Sequence, residues 1–352
     1  MRVGRAFWLQ RIKRSRGFAL DFAGVASQPA NCTRAVLEGP MANSPANPNA
    51  AVPMELWERI AHKVARGFNE TKSGRWVQNS TLRTFSYAWV RQVIARRMLT
   101  SGLDEILALH PERGVLFVAN HRSFFDLYSL MLACYMGPAP WARQLNFPVR
   151  SNFFYDHPAG ILVNYFCCGG SMYPPIYRQS ERRAQNDESL DKIVEILRTP
   201  GNVIGLHPEG TRNKSDDPYT FLPAQPGAGK MALLAQPTII PMFVNGVSND
   251  FLGDSKFNWH PRARQIRPII GVFGPPIDYS RFLGEKPRPA LYKKCADFLM
   301  SEVQKLTPIE KDLRAQCAAG QISDDDPRWL ENRRKVHPLY ARPGEYPTDA
   351  QK

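Results

Sequence analysis

The chain has 352 residues, of which 43% are hydrophobic and 22% charged, and its net charge is +14 at pH 7. This composition is typical of a globular protein with a sizeable core and excludes a largely disordered chain. The basic excess favours an acidic partner, a class that includes membrane headgroups, nucleic acid and phosphorylated metabolites. Composition alone does not choose among these partners.

The six cysteines lie at positions 32, 134, 167, 168, 295 and 317 and have no metal-ligand spacing. Cys167 and Cys168 are adjacent, which is a poor geometry for a bridge between them. We therefore expect buried, reduced thiols in a cytosolic protein and no metal cofactor.

The first fifty residues differ from the rest of the chain. Their basic start is followed by an apolar stretch that Asp21 interrupts, and residues 43–53 are rich in Asn, Pro and Ala. A transit peptide is one interpretation; translation starting at Met41 or Met54 is favoured over it. We predict a disordered or leader segment and linker over residues 1–52.

A pair of helices is predicted next, at residues 54–70 and 80–100, within an N-terminal, membrane-facing unit of residues 53–100. In the second helix Leu82, Phe85 and Trp89 fall on one side, and arginines flank this stripe. The stripe suits an anionic membrane surface, and it equally suits packing on a protein core. No apolar run reaches the roughly 18–20 residues of a membrane-spanning helix, so we expect the protein to lie on a bilayer.

A strand–turn–helix pattern contains the first candidate catalytic residues. Residues 115–119 form a short apolar run typical of a buried strand, and residues 124–136 are long and apolar enough for a packed helix. His121 lies in the turn, and Asp126 follows where its carboxylate can bond one imidazole nitrogen. A histidine held in this way can act as a general base.

A second apolar run, residues 202–206, ends in the sequence His207-Pro208-Glu209-Gly210-Thr211-Arg212. A strand followed by Gly and a nearby Arg is a natural anion site, because guanidinium forks and turn amides both bind phosphate oxygens. Alternation of strands with helices around these motifs predicts an α/β fold. We expect a central, mostly parallel or mixed sheet flanked by helices, with the helical pair at its N-terminal end.

Four sequence blocks together resemble the glycerolipid acyltransferase family, which includes the 1-acylglycerol-3-phosphate acyltransferases. The first block is Asn120-His121 with Asp126, and the third is Pro208-Glu209-Gly210-Thr211-Arg212. The others are Arg150-Ser151-Asn152-Phe153-Phe154 with Pro158-Ala159-Gly160 and Ile176-Tyr177-Arg178, and Ile239-Ile240-Pro241-Met242-Phe243-Val244-Asn245-Gly246. They occur in the family's order and cover residues 114–246.

The resemblance implies acyl transfer from an acyl thioester, on CoA or on an acyl-carrier protein, to a lysophosphatidate-type hydroxyl, giving phosphatidate. His121 would be the base and Asp126 its orienting carboxylate. No covalent intermediate is expected, since the Gly-x-Ser-x-Gly elbow is absent from the sequence. The predicted phosphate-binding residues are Arg150, Arg178, Glu209, Gly210, Thr211 and Arg212. Of these, Glu209 is expected to position Arg212 or the acceptor's free hydroxyl.

The chain departs from the family where most members have Phe-Lys-x-Gly, because Gln225-Pro226-Gly227 stands there. The same chemistry on another acceptor therefore stays open: glycerol-3-phosphate, a lysophospholipid, a glycolipid or an aminolipid. A non-catalytic basic module that binds membrane or nucleic acid is the third hypothesis.

The favoured hypothesis predicts a catalytic domain over residues 101–307 and an irregular tail over residues 308–352. It places the protein peripherally on the cytoplasmic face of a membrane, without nucleic acid and with no cofactor beyond the acyl donor. Membrane lipid and the acyl-CoA or acyl-carrier protein are the expected partners.

Overall fold

The structure is a computed structural model, and it describes residues 54–136, 139, 141–156, 158–177 and 179–336. The predictions for residues 1–52 and for Arg178 lie outside these residues. The helices are α1 Leu56–Glu70, α2 Lys72–Thr81, α3 Tyr87–Ile94, α4 Leu103–Leu107, α5 Asp126–Met136, α6 Ser151–Phe154, α7 Pro158–Cys168, α8 Arg183–Arg198, α9 Pro226–Ala235, α10 Phe251–Asn258, α11 Ala263–Ile266, α12 Pro289–Gln304, α13 Thr307–Ala318 and α14 Leu330–Val336. The strands are β1 Met98–Ser101, β2 Val115–Ala119, β3 Gln144–Asn146, β4 Val149–Arg150, β5 Pro175–Ile176, β6 Asn202–Leu206, β7 Thr238–Asn245 and β8 Ile269–Phe273.

A six-stranded sheet in the order β1-β8-β7-β2-β6-β3 forms the centre of the fold. All neighbouring strands are parallel except β7 and β8, which are antiparallel. The short strands β4 and β5 form a separate parallel pair. The predicted α/β fold with a mostly parallel sheet is therefore confirmed.

Helices cover both faces of the sheet, so its central strands are apolar along their whole length. In β2 every residue is buried, and successive side chains point to opposite faces. Leu116 packs in the core that includes Met231 of α9 and Leu299 of α12. Phe117 packs in the core on the other face, which includes Leu130 of α5.

The second N-terminal helix differs from its prediction. It begins at Lys72, continues through a π-helical turn at Leu82–Ser86 and ends at Ile94, so residues 98–100 are strand rather than helix. β1 forms because it pairs with β8, a partner about 170 residues away that periodicity cannot reveal. Leu82 is fully buried while Phe85 is 55% exposed, so the apolar stripe packs only partly on the core.

The expected irregular tail is wrong for residues 308–318 and 330–336, which are helical. Leu313 and Cys317, one helical turn apart on α13, are both buried. Trp329 is buried as well and pairs through its backbone with Leu99, at the edge of the sheet. The described part of the tail, residues 308–336, is ordered because it covers an otherwise open sheet edge. The prediction for residues 337–352 lies outside the described residues.

The five cysteines that the structure describes are all free. Among the helices within the described ranges, none combines the length and the apolar character that a membrane span requires.

Candidate active site

The candidate site lies at the edge of the sheet where the parallel strands β2 and β6 end. Val118 pairs with Leu206, so the residues that follow the two strands emerge side by side. His121 follows β2 and His207 follows β6. Carboxyl ends of parallel strands are the usual place for binding sites in α/β folds.

Asn120 fixes the turn that carries His121. Its side-chain amide donates to the carbonyl of Val244 (2.9 Å), and its side-chain oxygen accepts from the backbone N–H of the same residue (2.8 Å). The side chain of Asn120 thus continues the hydrogen bonding between β2 and β7 one residue beyond the end of β2. Because Asn120 is buried, this pair satisfies polar groups that water cannot reach.

His121 and Asp126 are in contact, as the first motif predicted. The imidazole Nδ1 lies 3.3 Å from Asp126 Oδ2. The same oxygen accepts the backbone N–H groups of Arg122 and Ser123, each at 2.7 Å. Asp126 therefore closes the turn and orients the imidazole, which leaves Nε2 as the acceptor nitrogen.

Burial sets the charge states of this pair. Burial raises the pKa of Asp126 to about 6. Burial, followed by the charges of Arg212 and Arg150, lowers the pKa of His121 to about 3. At neutral pH the imidazole is neutral and the carboxylate ionised, so His121 is able to accept a proton.

His207 is part of the site but has no role in the sequence predictions. Its ring stacks on that of His121, with centroids 3.9 Å apart and planes 6° from parallel. Its Nδ1 donates to the carbonyl of Ala119 at 3.2 Å, and burial, followed by the charge of His121, lowers its pKa to about 3. The one signal in the sequence was its position directly after the apolar run of residues 202–206.

His121, Asp126 and His207 are the one group within the described ranges whose ligand atoms lie close enough for a metal, all within 4.8 Å of one another. A zinc ion binds imidazole in the plane of the ring at about 2.0–2.1 Å. Two rings stacked face to face share no such plane, so the geometry does not fit a common ion. The absence of a metal cofactor stays a prediction.

Glu209 has a different place from the predicted one. Its two oxygens accept the backbone N–H groups of His121 (2.7 Å) and Leu222 (2.8 Å), and the side chain is buried. The carbonyl of His121 in turn accepts from Asn213 N at 2.8 Å. Glu209 is thus committed to holding two loops together rather than to Arg212 or a phosphate, which its charge would repel.

The loop that departs from the family pattern is attached to the same motif. The backbone N–H of Gln225 donates to the carbonyl of Pro208 at 2.7 Å, and α9 begins at Pro226. The Glu209 bond to Leu222 holds the start of this loop, and the Gln225 bond holds its end. The loop is fixed to the candidate site without the missing Phe-Lys-x-Gly.

Gly210 and Thr211 form the exposed side of the motif. Gly210 has φ +65°, a conformation that favours glycine, and its N–H closes a turn onto the carbonyl of His207 at 3.0 Å. Its own carbonyl accepts from Arg150 Nη2 at 3.4 Å, which brings the predicted Arg150 to this loop. Thr211 is partly buried next to it.

Arg212 lies over the ring of Phe124, with its guanidinium carbon 3.6 Å from the ring centroid. Its Nη1 donates to the side-chain oxygen of Asn249 at 3.2 Å. In the described part of the chain its side-chain contacts are therefore with an aromatic ring and a neutral amide, so its positive charge stays available to an anion. The charge of Arg212 also lowers the pKa of His121, so the two side chains are close enough to interact electrostatically.

A neutral, carboxylate-backed imidazole beside an available guanidinium, at the carboxyl edge of a mostly parallel sheet, is typical of an enzyme that activates a hydroxyl group. Comparison with protein families gives the class. Residues 100–245 match the family model described as Acyltransferase. The chain therefore carries an acyltransferase domain, and the match supports the resemblance to the glycerolipid acyltransferase family within that range. A search of curated proteins found no match.

Proposed function

We propose that this acyltransferase moves a fatty acyl group from acyl-CoA or an acyl-carrier protein to the hydroxyl of lysophosphatidate, giving phosphatidate. The observation that carries the proposal is the shared site of His121, Asp126 and Arg212. The imidazole supplies a base, and the guanidinium supplies a partner for the phosphate. A neutral acceptor would make no use of that charge.

In the proposed reaction, Nε2 of His121 takes the proton of the acceptor hydroxyl while the oxygen attacks the thioester carbonyl. The carbon–sulfur bond then breaks, and the leaving thiolate takes the proton back from the imidazolium. Asp126 stabilises that imidazolium and keeps the ring oriented. Ester and free thiol are the products, and no acyl group is attached to the protein.

Arg212 and Arg150 would bind the acceptor's phosphate, since Arg212 follows Gly210 in the exposed loop and Arg150 donates to the carbonyl of Gly210. Charge-assisted hydrogen bonds to phosphate contribute about 1.5–3 kcal/mol each. An anion bound there would also offset the charges that lower the pKa of His121. Binding of a phosphorylated acceptor would therefore strengthen the base.

The test is acyl transfer by the purified full-length protein, with acyl-CoA and acyl-carrier protein as donors. The acceptors are lysophosphatidate, glycerol-3-phosphate, lysophosphatidylcholine and monoacylglycerol, and His121→Ala is the control. We expect lysophosphatidate to react fastest. A clear preference for another acceptor would keep the chemistry and replace the substrate. No turnover with any acceptor would favour the non-catalytic basic module.

We also propose that α1 lies on the membrane surface at the cytoplasmic face. Polar residues four positions apart on α1 contact the rest of the domain: Glu58 pairs with Arg182, and His62 bonds Tyr177 OH at 2.5 Å. Helix α1 is thus attached in part through a polar flank.

The outer surface of α1 carries apolar residues instead. Leu56, Trp57 and Ile60 are 61%, 48% and 37% exposed. Adjacent exposed apolar residues mark interaction sites, and tryptophan favours the membrane interface. The net charge of +14 adds attraction to anionic lipids. A lipid surface is a partner that can bind both the exposed apolar residues and the positive charge.

Sedimentation with vesicles of phosphatidylcholine, with and without phosphatidylglycerol, tests this surface. Trp57→Glu should reduce the bound fraction severalfold on both vesicle types. The control is Ile309→Glu, which places the same charge at a 44% exposed apolar residue of α13. Equal binding by the two variants would contradict the assignment of α1.

A further inference from the structure

Asn249 lies at the rim of the candidate active site, beyond the end of β7. Its side-chain oxygen accepts from Arg212 Nη1 at 3.2 Å and from the backbone N–H of Phe124 at 3.0 Å. The hydroxyl oxygen of Ser123 lies 3.3 Å from the same oxygen. One amide oxygen therefore joins the guanidinium to the turn that leads from His121 into α5.

The segment that carries Asn249 is fixed from behind. The carbonyl of Ser248 accepts from the Ser123 hydroxyl at 2.7 Å, and the N–H and hydroxyl of Ser248 donate to Asp254 Oδ2 at 3.0 and 2.8 Å. Asp254 is buried, and its other oxygen lies 2.6 Å from Arg97 Nη2. Asn249 is thus part of a bonded chain that runs from the core to Arg212.

The amide at position 249 has a specific electrostatic consequence. A carboxylate there would accept the same hydrogen bonds but would pair with Arg212 and cancel its charge. An alanine would leave the guanidinium without its polar anchor. The amide fixes the geometry of Arg212 and leaves its charge available.

We propose that Asn249 is a positioning residue that holds Arg212 for the phosphate of the acceptor. It thereby determines the preference of the enzyme for anionic over neutral acceptors. This inference rests on the proposed function, because it takes Arg212 to be the phosphate ligand.

The test compares wild type with Asn249→Asp in the full-length protein, with acyl-CoA as donor and lysophosphatidate as acceptor. Monoacylglycerol, assayed as a competitor, reports binding of a neutral analogue. The aspartate keeps the hydrogen bonds accepted from Arg212 and from the N–H of Phe124, so kcat should stay within about threefold. The KM for lysophosphatidate should rise about tenfold, the equivalent of one strong contact. The inhibition constant of monoacylglycerol should not change.

Gln304→Glu is the matched control, because it makes the same amide-to-acid change at an exposed end of α12. It should behave as wild type. A wild-type KM in active Asn249→Asp would overturn the role of Asn249 and leave the proposed function standing. A wild-type protein that does not acylate lysophosphatidate would overturn both.

A second measurement tests the proposal even if the Asn249→Asp variant folds poorly. If Asn249 acts through Arg212, the effects of Asn249→Ala and Arg212→Lys on the KM for lysophosphatidate should not add in the double variant. Fully additive effects would show that the two side chains act independently and would overturn the proposal.

Discussion

His121 and His207 stack face to face at 3.9 Å, one following β2 and the other following β6. Two imidazolium ions cannot share that space, so the pair stays neutral at physiological pH. The ring of His207 also packs flat against one face of the His121 ring and so restricts its plane. The stack therefore helps to keep the base both oriented and unprotonated.

The neutral stack predicts a loss of stability in acid. The pKa of His207 is lowered to about 3 in the folded protein, against 6.5 for an ordinary histidine. Between these values the unfolded chain binds a proton that the folded chain does not, so stability falls as the pH falls from 6.5 toward 3. His207→Phe keeps a stacked ring and removes this group, and its melting temperature should fall less than that of wild type between pH 7 and pH 5.

The control for this prediction is His110→Phe at an exposed histidine, which should keep the wild-type pH dependence. Ionisation of Asp126 changes the stability of the protein with pH in the opposite direction. Its pKa is raised from 3.8 to about 6, so it contributes stability below pH 3.8 that is lost as the pH rises through 6. An equal pH dependence in wild type and His207→Phe would contradict the neutral stack.

Asp126→Asn should separate catalysis from stability. The amide oxygen can still accept from the backbone of the turn, but the charge that stabilises the imidazolium is lost, so kcat should fall about 10²–10⁴-fold. The melting temperature at pH 8 should not fall, because burial disfavours the ionised carboxylate that the change removes. Steady-state kinetics with thermal unfolding check both parts, and a parallel loss of both would make Asp126 a structural residue only.

Arg212→Lys should raise the KM for the acceptor about tenfold with little change in kcat. Lysine keeps the charge but loses the planar fork and the flat contact on Phe124. Arg183→Lys, at an exposed residue of α8, is the matched control and should leave the KM unchanged. An unaltered KM in Arg212→Lys would remove phosphate binding from this residue.

Glu209→Gln should lower both stability and activity. The glutamine side chain has one acceptor oxygen, so the N–H of His121 or of Leu222 loses its partner in a buried position. An unsatisfied buried donor costs about 1–3 kcal/mol. Urea unfolding measures the loss, and Glu195→Gln, whose side chain is 71% exposed, should change the free energy of unfolding by less than about 0.5 kcal/mol.

The sequence predicted the parts of the fold that local patterns encode. The apolar runs that form β2 and β6 lie where they were expected. β1 was missed, because its strand conformation depends on pairing with β8. The two C-terminal helices, α13 and α14, were missed as well. The charged, Pro-rich composition of this region favoured an irregular tail, although its few apolar residues have helical spacing.

In the candidate site, sequence motifs identified the pairs that are close in the chain or typical of a family. His121 with Asp126, and the turn at Gly210 with Arg212, are of this kind. They did not show that Glu209 bonds the backbone of His121, because that contact joins residues 88 positions apart.

By itself, the sequence determined the chemistry that is available: an imidazole, a carboxylate and a guanidinium, each in a turn after an apolar strand. Only the tertiary structure decided the surroundings of these groups, namely His207 stacked on the base and Asn249 bonded to Arg212. The physical reason is that parallel strands bring the loops after β2, β6 and β7 to one edge of the sheet. Contacts between those loops depend on strand order and register, which no local sequence pattern specifies.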